Sequence, residues 1–322
     1  MRRKAFSIAF SCIITAVVLG LLLQKTSVQD IVKTIAMLPV MTLIGAFLLY
    51  TLVQALRACR AWTLLQKAVP LDTLFSITCI HNALINILPA RTGEFGYVYL
   101  VQRTGKATTG AGIGTLILAR LCDLIAIAAI FFVALLAARV VPPSIQALRM
   151  PLLAGLFLLV SALMSIMLLR KQAVATATAV LRAFHLEQVR LFAWLLRKFE
   201  ETLHHLQVMK SWKTLLGALA WSIGIWMVLF TINFMIFRAV GIPFTWEEST
   251  MATSVAALLA VIPIQGLVGL GTTEAWWTLG LASVNVSTAQ AIQAGFAQHL
   301  SALVFMAVLG LYGLIRSPWN KK

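Results

Sequence analysis

Six ionisable residues stand out because each lies within a long apolar stretch: Arg91, Glu94, Arg120, Asp123, Glu274 and His299. A charged side chain at the centre of a bilayer costs about 2.5–3.5 kcal/mol or more, so such residues pair with one another and mark a site. Their spacing suggests the pairs. Glu94 precedes Arg120 by 26 residues and Glu274 precedes His299 by 25. Arg120 and Asp123 are i,i+3 neighbours, so Asp123 competes with Glu94 for the same guanidinium. Each glutamate also follows a glycine, Gly93 or Gly271, at the start of an apolar arm. A carboxylate there can instead cap free backbone N–H groups and suit the helix dipole. Both roles, cap and ion pair, stay open.

The elements that carry these residues are unusual. Residues 71–102 are apolar but interrupted by Pro89-Ala90-Arg91-Thr92-Gly93-Glu94, and residues 249–283 by the stretch from Pro263 to Gly271. Neither half of either segment is long enough to cross a bilayer, and broken helices are tolerated at membrane depth only where protein or a cavity shields them. Two re-entrant hairpins are expected. Gly93, Gly266, Gly269 and Gly271 permit sharp turns, and the arms that follow begin with exposed N–H donors that favour an anion. Guanidiniums at Arg91 and Arg120 add charge for a phosphate. Asn82 and Asn86, one turn apart in the first arm, can face the same cavity. The expected substrate-binding set is therefore Arg91, Glu94, Arg120, Asp123, Gly269, Gly271, Glu274, His299, Asn82 and Asn86. No catalytic residue, metal site or cofactor is expected: the sequence has no Walker loop, HExxH, GxSxG or metal-spaced cluster. Cys12, Cys59, Cys79 and Cys122 are scattered and read as small hydrophobes.

Composition gives the frame. Of 322 residues 61% are hydrophobic and 11% charged, and the mean hydropathy is +0.93. So few charges cannot cover a water-soluble surface of this size, and the solvent must be largely lipid. The fold expected is an all-α polytopic membrane protein: six full spans (5–23, 38–56, 110–137, 152–169, 213–237 and 288–315) plus the two re-entrant broken helices. The first run follows Arg2-Arg3-Lys4 without a small-x-small cleavage site, so a retained span is expected rather than a signal peptide. Gly110-x-x-x-Gly114 suits close helix packing. With this topology 19 of the 26 Lys and Arg residues fall on the inner side, five fall outside and two lie within the membrane. Both termini are thus expected in the cytoplasm, in a bacterial inner membrane. The net charge of +16 is explained by these loops and an anionic inner leaflet, not by nucleic acid. Spans one to three enclose a hairpin entering from the cytoplasm, and spans four to six one entering from outside, which makes an inverted 3+3 repeat. The units are residues 1–169, a cytoplasmic linker at 170–212 and residues 213–322. Within the linker, 172–210 carries apolar residues at helical spacing among arginines, as an amphipathic helix on the leaflet would.

Several of these blocks together resemble the flippase-like membrane family that includes the transmembrane region of lysylphosphatidylglycerol synthases and its stand-alone relatives. The blocks are Leu56-Arg57-Ala58-Cys59-Arg60-Ala61-Trp62, Asn86 to Glu94, Ala119-Arg120-Leu121-Cys122-Asp123, and Pro263 through Gly271 to Glu274-Ala275. They cover about residues 50–300. The resemblance implies translocation of a lipid between leaflets. Two departures matter: relatives often carry arginine where this chain has His299, and the soluble aminoacyl-transfer domain of the synthases is missing here, so lipid synthesis is not expected.

The function expected is therefore a flippase for a phosphate-bearing lipid, either a modified phospholipid or a polyprenyl carrier, and not an enzyme. Two alternatives stand beside it: an exporter of a small polar solute, and a non-transporting scaffold for a lipid-modifying enzyme. The expected partner is a membrane lipid with an anionic headgroup. A lipid-modifying enzyme partner and a homo-oligomer stay open.

Overall fold

The computed structural model describes residues 2–88, 92–168, 212–262 and 264–317. Arg91 and the expected amphipathic linker lie outside the described residues. Everything described is helix or connecting turn. The first half holds α1 (Arg2–Leu23), α2 (Val28–Ala36), α3 (Val40–Leu64), α4 (Leu71–Ile87), α5 (Gly93–Arg103) and α6 (Thr109–Ala137). The second holds α7 (Pro143–Leu168), α8 (Trp212–Ala239), α9 (Trp246–Leu259), α10 (Thr272–Ala282) and α11 (Thr288–Arg316).

Helix boundaries follow local chemistry. Thr108 caps α6 and Ser287 caps α11 by accepting a backbone N–H, while Thr245 and Glu248 form a reciprocal capping box on α9. Pro39 and Pro70 precede α3 and α4, where no backbone donor is lost. Among the described residues, five helices are long and apolar enough to cross a membrane: α3, α6, α7, α8 and α11. A sixth crossing is obtained if Ser11–Leu23 and Val28–Ala36, bent by 86° at the turn between them, count as one. The expectation of six spans thus reduces to five or six. The bend was not anticipated, although Ser27 capping Asp30 announces a new helix start.

The second expected span, 38–56, is corrected. Helix α3 continues to Leu64 and ends only where Gln66 and Lys67 turn left-handed. Arg57 and Arg60, expected in an inner loop, are therefore helical, and Arg60 is buried.

The broken segments sit in the middle of the bundle. Helix α4 packs on α5 and on α11, while α9 packs on α10 and on α6; α3 and α8 lie side by side between them. Small residues set these approaches. A Cβ at Gly313 of α11 would come within 2.7 Å of the Ser76 carbonyl on α4, and one at Gly280 of α10 would meet the Ala252 carbonyl on α9. Tyr50, Phe237, Met251 and Phe305 belong to one buried cluster that ties α3, α8, α9 and α11 together. Outward faces are apolar instead of charged: Met41 and Leu48 on α3, Leu136 on α6 and Leu311 on α11 are all exposed. That is the surface a lipid-solvated helix needs.

A charged cluster and a neutral one meet at the broken helices

At the first break, Gly93 brings the start of α5 against the backbone of Leu84 and Ile85 on α4, so closely that a Cβ would collide with it. That contact directs Glu94 toward α6. Its Oε1 accepts from Arg120 Nη2 at 2.5 Å, and its Oε2 faces His81 Nε2 of α4 at 3.4 Å. The predicted Glu94–Arg120 pair is present, with His81 as an unforeseen neighbour.

Asp123 takes another partner. It pairs with Arg60 of α3, both nearly buried, and also accepts from the Trp226 indole N–H of α8 at 3.1 Å. Arg60 donates as well to Ser222 Oγ on α8 at 2.6 Å. The alternative partnership of Asp123 with Arg120 survives only as a 4.0 Å contact. Three helices are thus locked through one buried carboxylate.

Asn82 and Asn86 both line the cavity beside these pairs. Arg57 Nη1 donates to Asn82 Oδ1 at 2.8 Å, and Asn82 Nδ2 donates to the Tyr50 hydroxyl at 2.5 Å. An arginine can only donate, so this chain fixes the amide's orientation. Asn86 donates to the Asn82 carbonyl one turn back and keeps its amide oxygen for the cavity.

At the second break, the two open roles of Glu274 are both realised. It is fully buried; Oε2 accepts from the Gly271 N–H at 2.7 Å, and Oε1 lies 2.7 Å from His299 Nδ1. A carboxylate accepts, so Nδ1–H donates and Nε2 is left facing outward from the pair. Gly269, with φ +77°, lies beside that nitrogen: a Cβ there would stand 3.3 Å from it. Gly271, with φ +82°, faces Val18 and Thr15 of α1 and is a backbone hinge away from the cavity. Thr15 also accepts the Leu267 N–H, which ties the tip to α1.

The tips touch. Gln265 Nε2 of the second break donates to the Ile85 and Asn86 carbonyls, the loose carbonyl end of α4, at 3.2 and 3.4 Å. On one side lies a cavity of about 330 Å³ lined by Arg57, Arg60, His81, Asn82, Arg120 and Asp123 among others. On the other lies one of about 280 Å³, lined by His299, Thr272, Thr273 and several amides and indoles. Ile85, Asn86, Trp226 and Ala260 belong to both walls. Of the residues picked from sequence, Arg120, Asp123, Asn82 and Asn86 line the first cavity with Glu94 paired to Arg120 behind them, and His299 lines the second with Glu274 and Gly269 against it. Arg57, Arg60, His81, Tyr50 and Trp226 were missed.

Long apolar helices around two broken ones, with buried charges converging between them, define a multi-pass membrane protein with an internal polar site. Over residues 8–310 the sequence matches the lysylphosphatidylglycerol synthase TM region, and the chain belongs to that family. Comparison with curated proteins and with solved structures gave no match.

Proposed function

We propose that the chain moves a lipid with a phosphate-bearing headgroup between the leaflets of a bacterial inner membrane, as a carrier and not as an enzyme. One observation carries the reading. In the first cavity Arg60 and Arg120 have carboxylate partners, but Arg57 has none within 4.0 Å among the described residues. A guanidinium held by one neutral amide in a low-dielectric cavity is incomplete, and a phosphate oxygen completes it with charge-assisted bonds. Apolar residues flank the path, with Ile262 and Ile264 exposed where the second cavity opens, as an acyl or prenyl chain requires.

The frame fits a transporter. Each first arm packs on a long helix of the opposite half, α4 on α11 and α9 on α6, and each second arm packs on the next helix of its own half, α5 on α6 and α10 on α11. The pairs Glu94–Arg120 and Glu274–His299 occupy corresponding places. This exchange of roles is what an inverted repeat produces, with six crossings, cytoplasmic termini and a substrate held where the broken helices meet.

The test is a scrambling assay in proteoliposomes with fluorescent phosphatidic acid and its neutral diacylglycerol counterpart. Protein-dependent movement of the phosphate lipid, lost in Arg57→Gln and Arg120→Gln, is expected. Transport of a soluble organic phosphate without lipid movement would point to the solute exporter. Activity that appears only with an added enzyme would point to the scaffold. Movement of both lipids alike, indifferent to both arginines, refutes the phosphate site.

A further inference from the structure

We propose that the second cavity binds an uncharged, polyhydroxylated group, a sugar residue, attached to the phosphate that the first cavity holds. The inference rests on the phosphate-lipid reading and extends it to a substrate class, a sugar-phosphate lipid.

The linings of the two cavities differ in kind. The first is built around arginines and carboxylates. Among the described residues the second has no Lys, Arg, Asp or Glu on its wall. Its polar groups are amides, hydroxyls and the His299 imidazole, and three of their atoms are buried without a hydrogen-bond partner: Thr253 Oγ1, Gln265 Oε1 and His299 Nε2. Thr253 is 1% and His299 3% exposed. Buried polar atoms are almost always paired, so three orphans on one wall indicate a polar occupant. The groups offer both donor and acceptor capacity, as sugar hydroxyls require. Beside them stand the indoles of Trp226, Trp276 and Trp277. Their flat faces, electron-rich above the ring, suit the C–H face of a pyranose. At about 280 Å³ the space is near the ~300 Å³ lower bound for small-molecule sites.

Other occupants fit less well. A lipid tail would leave the three orphans unpaired in an apolar setting. A second phosphate would find no lysine or arginine among the described lining residues. Indoles also attract ammonium groups, but the nearby carboxylate of Glu274 is fully buried and both its oxygens are engaged, by the Gly271 N–H and by His299. It is not presented to the cavity as a counter-ion. The two cavities share a wall, and Asn82 links Arg57 on the first side to Tyr50, which lines the second.

The experiment measures binding to the purified full chain in a polyoxyethylene detergent, which carries neither sugar nor charge. Four lipids with identical acyl chains are compared by native mass spectrometry: phosphatidic acid, phosphatidylglucose, phosphatidylethanolamine and glucosyl-diacylglycerol. Phosphatidylglucose is expected to bind about tenfold tighter than phosphatidic acid. Thr253→Val should remove that preference without weakening phosphatidic acid or lowering thermal stability, because the deleted hydroxyl has no partner in the fold. Trp276→Leu should likewise reduce the preference for the glucosyl lipid. Equal affinity for phosphatidylglucose and phosphatidic acid overturns the sugar site and leaves the phosphate reading intact. A preference for phosphatidylethanolamine overturns it in favour of a cation. Glucosyl-diacylglycerol binding as well as phosphatidylglucose supports the sugar site and overturns the phosphate reading. Failure of all four to bind overturns both.

Discussion

The pair Arg60–Asp123 lends itself to an unequal pair of substitutions. Both residues are 7% exposed, and removing one member of a buried pair costs roughly 3–5 kcal/mol because the other charge is stranded. The two members are not stranded equally. In Arg60→Met, Asp123 keeps the Trp226 N–H at 3.1 Å and has Arg120 only 4.0 Å away. Arg120 has a half-exposed side chain, free to close that gap, and one recovered charge-assisted bond is worth about 1.5–3 kcal/mol. The net loss expected for Arg60→Met is therefore about 1–3 kcal/mol. In Asp123→Leu, Arg60 keeps the Ser222 hydroxyl at 2.6 Å but has no second carboxylate within 4.0 Å among the described residues. The full cost of about 3–5 kcal/mol should appear. The double variant removes both charges and leaves only the Trp226 N–H and the Ser222 hydroxyl unpaired, at about 1 kcal/mol each. It should be more stable than Asp123→Leu alone. The assay is reversible unfolding in mixed micelles with rising dodecyl sulfate, read by circular dichroism, and arranged as a double-mutant cycle. Equal losses for the two single variants would refute the stand-by role of Arg120. A double variant as unstable as the sum of the singles would refute the pair itself.

Other outcomes follow from the same geometry. The Glu94–Arg120 pair is more exposed than Arg60–Asp123, with 44% of the Arg120 side chain accessible, so Arg120→Gln should cost only about 1 kcal/mol of stability while abolishing transport of phosphatidic acid. The swap of Glu94→Arg with Arg120→Glu should restore stability in the same unfolding assay but not transport, because the cation then sits on the other wall. Gly313→Val forces α11 away from the Ser76 carbonyl and should destabilise by about 1–3 kcal/mol, with a fall in thermal midpoint. In a background without the four native cysteines, a cysteine at position 198 should react with an impermeant reagent from the cytoplasm only. One at position 247 should react from outside only; labelling of both from one face would refute the inverted topology.

Much of this site was legible because broken membrane helices need glycine, proline and capping carboxylates, and these stand out against apolar surroundings. Glu94 with Arg120 and Glu274 with His299 were readable for the same reason: an ionisable group in lipid must find a partner. The extent of α3 was not legible from hydropathy, since an average over a window falls wherever charge begins, whichever way the charge points. Helical period carries the missing information. Positions 46, 50, 53, 57, 60 and 64 recur every three or four residues, and five of them are buried, with Arg57 half-buried between. Read by period, Arg57 and Arg60 continue the inward face of a crossing helix. Tyr50 and Trp226 carry no such signal, because each is an ordinary residue on an apolar helix until its neighbour is known; His81, ionisable and inside the apolar segment 71–102, carries the same signal as His299 and was passed over.

The two halves use corresponding positions for different electrostatics. At the first break, a carboxylate meets an arginine, a second arginine–carboxylate pair lies one helix away, and Arg57 has no carboxylate within 4.0 Å among the described residues. At the second, a carboxylate is consumed by a backbone N–H and a histidine, and the cavity beyond has no Lys, Arg, Asp or Glu among the described residues. A guanidinium at position 299 would reach into the space that Gly269 leaves beside the imidazole and put a permanent cation on that wall. On the proposed reading, histidine there leaves the anion one place to sit and the remainder of the headgroup another. A headgroup with a charged end and a neutral end would then take one orientation between the two breaks, which a site with two cationic halves would not enforce.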